Sequence, residues 1–349
     1  MKKFFSRYWI FILLATIATI LVGFYLKNKV FSPYIQEQLL PLPSPKIESY
    51  SISTIPNLSR LEKNFPLFNH KISVYQVGFS SLSDQKAILI AEKFGFSAPP
   101  IVLTQSLGET FYNWDTEKNN LSINLRSGEA NYSLNILEHP ELIQGELPQF
   151  SEVEEKARSF LKENNLLPPE GINLEIKEVF YVKNFFPYFE KVNEKEKADL
   201  IQIKLEYQIN KNKVVAVSDY PPSISIFIGP EFKIVLLNYY LLCNKIELLK
   251  EVYPLKTKDE ILKNIKTNPR ISYLSISTGD NPTSSLEEQK QLVTNLSFDN
   301  IELVYYKYDP LQSYLQPVFL ITGKATLKDG TQAEAGLYLP AIKDEYLLK

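Results

Sequence analysis

Two Ser-x-x-Lys tetrapeptides have the spacing best suited to covalent chemistry: Ser83-Asp84-Gln85-Lys86 and Ser159-Phe160-Leu161-Lys162. On a helix this spacing sets the lysine one turn from the serine, where an uncharged amine can take the hydroxyl proton. Acyl enzymes that work this way also carry S-D-N and K-T-G elements. The chain has neither. The tetrapeptides therefore read as helix residues, with Ser83 as a cap and Lys86 in solvent.

Other chemistry is as sparsely provided. Cys243 is the single cysteine and lies in the apolar run Tyr239-Tyr240-Leu241-Leu242-Cys243. It reads as a small buried hydrophobe, and no intrachain disulfide can form. His70 and His139 are the two histidines and read as surface loop residues, so a Cys/His zinc site lacks ligands. No G-x-S-x-G, H-E-x-x-H, Walker A or G-x-G-x-x-G pattern occurs. Carboxylates are plentiful, but no spacing selects a glycosidase pair. No catalytic, cofactor-binding or metal-binding residue is expected.

Recognition is better represented. Tyr305, Tyr306, Tyr308, Tyr314 and Phe319 crowd the C-terminal region. Tyrosine combines a large apolar ring with a hydrogen-bonding tip and is common at contact surfaces, although it is also an ordinary strand residue. Pro317 inside a strand pattern points to an edge or bulge, to which a partner's chain can add. Tyr306, Tyr308, Tyr314, Gln316 and Pro317 are thus the expected partner surface.

The N-terminus decides where such a surface works. Lys2, Lys3 and Arg7 precede an uncharged apolar run from Tyr8 to Leu26, and Lys27 and Lys29 follow it. About nineteen residues at about 1.5 Å each just cross a hydrocarbon core of roughly 30 Å. The basic residues favour a cytoplasmic N-terminus, with residues 30–349 outside the cytoplasm. A cleaved signal peptide and a buried soluble helix are the competing readings. Phe24 and Tyr25 are poor cleavage residues for the first of these.

The chain as a whole has the composition of a folded protein: 44% hydrophobic, 22% charged and a formal net charge of −2. That balance removes any general attraction to nucleic acid. Residues 1–29 read as cytoplasmic tip and anchor, and residues 30–60, with Pro33, Pro41, Pro43, Pro45 and Pro56, as an extended tether. Beyond the tether one pattern recurs three times, over 61–147, 148–250 and 251–349. An amphipathic helix is followed by an antiparallel meander.

The helices are expected at Asp84–Phe94, at Ser151–Asn164 behind a Ser151-Glu152-Val153-Glu154 capping box, and from Thr257-Lys258-Asp259-Glu260 to Pro269. Ile201, Ile203, Leu205 and Tyr207 alternate with polar residues, the mark of a sheet covered on one face. Glu138–Pro148 and Lys250–Lys256 read as linkers. The expected fold class is α+β: tandem two-layer units, each a helix packed on a meander.

This arrangement resembles the PepSY-like, cystatin-like extracytoplasmic proteins of bacteria, with the YycI/YycH type of accessory protein as the nearest comparison. The residues that carry the resemblance are Tyr314-Leu315-Gln316-Pro317-Val318-Phe319, Gly336-Leu337-Tyr338-Leu339-Pro340-Ala341 and the helix start Ser151–Ala157. The resemblance implies a membrane-tethered, non-enzymatic protein that contacts an envelope partner such as a sensor kinase or a protease. It supplies no catalytic residues. The leading expectation is a membrane-anchored binding or regulatory protein. The alternatives are a cell-wall or glycan-binding module using Trp114 and the C-terminal tyrosines, and a serine–lysine hydrolase with a deep polar cleft.

Overall fold

Leu200–Ile209, with its apolar residues at every second position, is a central strand of a large sheet. Ile201, Ile203, Leu205 and Tyr207 are fully buried on one face, while Gln202, Lys204 and Glu206 are half-buried on the other. The computed structural model describes residues 39–78, 82–105, 108–185, 188–216, 223–276, 292–309 and 312–348.

The chain begins with two short strands, β1 (Leu42–Pro43) and β2 (Tyr50–Ser51), the helix α1 (Ser59–Lys63) and β3 (Lys71–Gly78). Then come α2 (Asp84–Lys93), β4 (Ile101–Thr104), β5 (Thr110–Asp115), β6 (Asn119–Asn124) and β7 (Ala130–Leu134). Next are α3 (Phe150–Glu163), β8 (Asn173–Phe185), β9 (Tyr188–Val192), β10 (Leu200–Ile209), β11 (Asn212–Ala216), β12 (Ser223–Ile228), β13 (Ile234–Tyr239) and β14 (Lys245–Pro254). The C-terminal part holds α4 (Lys258–Thr267), β15 (Arg270–Ile271), β16 (Tyr273–Ile276), β17 (Val293–Lys307), β18 (Tyr314–Leu327), β19 (Gln332–Pro340) and β20 (Leu347–Leu348).

The protein is mostly β, at 49% strand, and sixteen strands belong to one connected sheet. This corrects the expectation of tandem helix-on-meander units. β7 pairs antiparallel with β13, from Ser133↔Leu236 to Ala130↔Tyr239, so the strands after α2 and those after α3 form one surface. The order across it is β9-β8-β10-β12-β13-β7-β6-β5-β4, antiparallel throughout. Both helices lie on one face of this sheet and share its core. Ala87 and Ala91 of α2 and Val153, Ala157 and Leu161 of α3 join Ile201, Ile203, Trp114 and Leu237 in one cluster.

β11 then runs parallel to β17 (Val214↔Tyr305, Ala216↔Lys307) and couples this surface to β17-β18-β19-β16. α4 covers the latter with Ile261, Leu262 and Ile265. β3 pairs with both β14 and β18, so strands from all three expected segments interleave. The β17–β18 crossing is tight. A Cβ on Gly323 would lie 1.8 Å from the Ser297 carbonyl oxygen, so only glycine fits there.

The starts of α2 and α4 follow local capping rules, whereas α1 begins behind Leu58 with no side-chain cap. Ser83 caps α2 by accepting from the Lys86 amide at 3.3 Å. Thr257 and Glu260 make the reciprocal box of α4. α3 instead begins at Phe150, and Glu152 accepts from the Gln149 amide at 3.2 Å, so Ser151 sits inside the first turn.

Seven strands arise where none was expected: the short β1, β2 and β20, and the longer β3, β4, β9 and β14. β14 absorbs the expected Lys250–Lys256 linker despite its Lys, Glu and Leu content, because its backbone pairs with β3. Tertiary pairing outweighs a weak local preference there.

The tether reading also changes over its described residues. β1 pairs in parallel with β20, and Leu58 is buried against the C-terminal core. The expected anchor, Tyr8–Leu26, lies outside the described residues. Among the described residues no helix is long and apolar enough to cross a membrane.

Candidate functional site

The expected partner surface is gathered in one place, but much of it is already covered. Tyr306, Gln316 and Pro317 are buried, and Tyr308 and Tyr314 are half-buried. Tyr306, Tyr308, Tyr314 and Gln316, without Pro317, line a small cavity of 290 Å³ whose other wall is Pro43–Lys46. Gln316 Nε2 donates to the Pro43 carbonyl at 2.6 Å, and Tyr306 donates to the Lys46 carbonyl at 3.5 Å. Lys46 Nζ stands 5.7 Å from the Tyr308 ring centroid. The chain's own N-terminal segment therefore occupies the tyrosine surface. Pro317 is not on an edge: Tyr305 faces it on β17, and its carbonyl accepts from the Ala341 amide. It marks the point where β18 leaves β3 at Leu315 and takes up β19 from Val318.

The serine–lysine pairs do not form a cleft. Ser83 and Lys86 are exposed at the start of α2, with the serine used as a cap. Ser159 is half-buried on α3 and Lys162 is exposed. Trp114 is 3% exposed, packs against Phe96 and Tyr112, and donates to the Ala98 carbonyl. It offers no platform to a glycan. His70 is exposed, while His139 lies between Glu141 at 3.0 Å and Glu117 at 3.8 Å. No cluster of three or more His, Cys, Asp or Glu residues suited to a metal ion occurs among the described residues.

One titratable group was missed by the sequence. Lys307, at the end of β17, is 1% exposed, and burial pushes its amine down to about 8. The Cys243 thiol, Asp309 and Glu129 act on it electrostatically in the opposite sense. Cys243 is fully buried, and burial pushes its thiol up to about 11. The signal for Lys307 was its place in the alternation Tyr305-Tyr306-Lys307-Tyr308, but a lysine at a strand end ordinarily reaches solvent.

The feature best formed for contact is β4. The large sheet ends in β4, β9, β14 and β16. β14 carries Lys245, Glu247, Lys250 and Glu251, and β9 carries Glu190 and Lys191, charges that keep another chain away. β16 is uncharged, but its Leu274 is buried. β4 reads Ile101-Val102-Leu103-Thr104, without charge. Ile101, Val102 and Leu103 are 60%, 52% and 56% exposed, so both faces of the strand are open. Among the described residues β4 pairs only with β5, from Ile101↔Asn113 to Thr104↔Thr110, which leaves its outer backbone edge unpaired by them.

No protein-family model matches the chain. No curated protein matches it. Among solved structures it is similar to an uncharacterized protein from Eubacterium rectale, at 13% identity over 79% of this chain and 84% of that one, with a TM-score of 0.46.

Proposed function

We propose that the protein is a non-catalytic binding protein held at a membrane by the Tyr8–Leu26 run, and that it works by taking up an extended strand of a partner protein along β4. The observation that supports this is the open, uncharged edge Ile101–Thr104. An added strand gains main-chain hydrogen bonds along the edge, and its alternate side chains cover Ile101 and Leu103 on one face and Val102 on the other. The partner segment is accordingly apolar, uncharged and extended. The uncharged run and the flanking Lys2, Lys3, Arg7, Lys27 and Lys29 favour an extracytoplasmic location for the body.

The test is a photo-crosslinking residue placed at Thr104 of the full chain in native membranes. The expected result is one discrete adduct that Val102→Lys removes. A crosslinker at the exposed Glu92 serves as the control and forms no such adduct. An adduct that survives Val102→Lys, or none at Thr104, overturns the reading. An adduct of twice the chain mass replaces the partner with a second copy.

A further inference from the structure

The face of the large sheet opposite the helices carries a row of polar side chains in direct cross-strand register. Lys204 stands opposite Ser225, Ser225 opposite Asn238, and Asn238 opposite Asn131. Asn131 stands opposite Ser122, and Ser122 opposite Asn113. Residues paired in this way point to the same face. Their chain neighbours Ile203, Ile224, Leu237, Ala130, Ile123 and Trp114 are buried on the helix side. Six strands at about 4.8 Å spacing make the row roughly 24 Å long.

The Lys204–Asn131 half of this row lines a groove of 670 Å³, within the range of about 300–1,000 Å³ usual for ligand sites. Long side chains wall the groove. Lys177 comes in from β8 at a bulge: Lys204 faces Glu178 and Leu205 faces Ile176, so Lys177 is the extra residue. A bulge re-aims the side chain it carries, and Lys177 reaches Glu206 on β10. Glu129 and Tyr240 stand toward the other end.

We propose that this groove binds a neutral, polyhydroxylated chain, an oligosaccharide laid across the strands. Three properties select that class. The lining contains no aliphatic residue, so a peptide's apolar side chains find no pocket. Its charges balance, Lys177 and Lys204 against Glu129 and Glu206, so neither a polyanion nor a polycation is favoured. Its floor is made of amides and hydroxyls, each both donor and acceptor, which match sugar hydroxyls in either sense. Gln202 already donates to Ser225 at 2.7 Å, which holds that hydroxyl in place. The Tyr240 ring offers apolar area for the C–H face of a sugar. The inference is independent of the β4 reading, since none of these residues lies on β4.

The test is titration calorimetry with chitohexaose and with cellohexaose. It uses the full chain in a detergent that has no sugar headgroup. The expected result is binding of at least one hexasaccharide, with affinity that rises from disaccharide to hexasaccharide. Asn131→Ala and Asn238→Ala, both at exposed positions, weaken it by about tenfold or more. Ser225→Trp, which fills the trough, abolishes it with an unchanged circular dichroism spectrum, while Leu103→Lys leaves it intact. Absence of binding by both hexasaccharides to the folded chain overturns the proposal. So does binding that all three groove variants retain.

Discussion

Gln316 on β18 donates its side-chain amide to the backbone carbonyl of Pro43, 2.6 Å away and 273 residues earlier in the chain. The bond belongs to a clasp between the two ends of the described chain. Leu42 and Pro43 pair in parallel with Leu347 and Leu348, Ser44 donates to the Leu348 carbonyl, and Tyr253 donates to that of Leu40. The proline-rich segment that follows the apolar run is thus fixed to the body as far as Leu39.

Removing the clasp at Gln316 has a local signature. Gln316 is 4% exposed, so Gln316→Ala loses a hydrogen bond and leaves the Pro43 carbonyl without its donor. The cost is about 1–3 kcal/mol. Hydrogen exchange is expected to rise over residues 40–47 and 345–348 and to stay unchanged in α3. Equal exchange in both regions would show that the segment is held by other means.

The shared core makes a second outcome specific. Ile203→Ala removes a fully buried side chain from the core cluster that also holds residues of both α2 and α3, at a cost of about 2–5 kcal/mol. With Trp9→Phe leaving Trp114 as the single indole, urea unfolding followed by fluorescence and by circular dichroism is expected to shift together. Separate transitions for the two probes would mean that the strands around Trp114 unfold as a unit of their own.

Lys307 and Cys243 give stability an opposed pH dependence. The Lys307 amine is held at about 8 in the folded protein against about 10.5 unfolded, so above pH 8 the unfolded chain binds the extra proton and stability rises with pH. The Cys243 thiol is raised to about 11 from about 9, so its contribution is complete below pH 9 and is lost as pH rises toward 11. Between pH 8 and 9 the lysine acts without that opposition. Urea midpoints of the native chain are expected to climb over this interval, and Lys307→Met is expected to abolish the climb. A slope unchanged in the variant would assign it to other groups. From pH 9 to about 10.5 the two contributions oppose each other, so Cys243→Ala should let the climb continue past pH 9.

Much of the local structure is legible in the residue order. Ser83 and Thr257 announce α2 and α4 because a cap is a contact within four residues. The alternation of Leu200–Tyr207 announces β10 and its covered face because a strand's side chains alternate. Lys250–Lys256 is hard to read as a strand because it carries Lys, Glu and Leu, and Ile101–Thr104, although β-branched, is four residues long and shows no alternation of polar and apolar positions. The covering of the expected partner surface was hidden for a related reason. The tyrosines near Tyr306 do converge, but nothing in their spacing says that Pro43–Lys46 covers them.

By itself the sequence determined that a charge-balanced chain with one cysteine folds around helices and half-covered strands, behind an apolar run of near-membrane length. Only the tertiary structure decided that β7 joins β13, that β3 lies between β14 and β18, and that β4 is left open. Those outcomes rest on backbone N–H and C=O groups, which every residue except proline carries in full. Side-chain periodicity specifies which face of a strand is buried, but it does not specify which strand lies beside it.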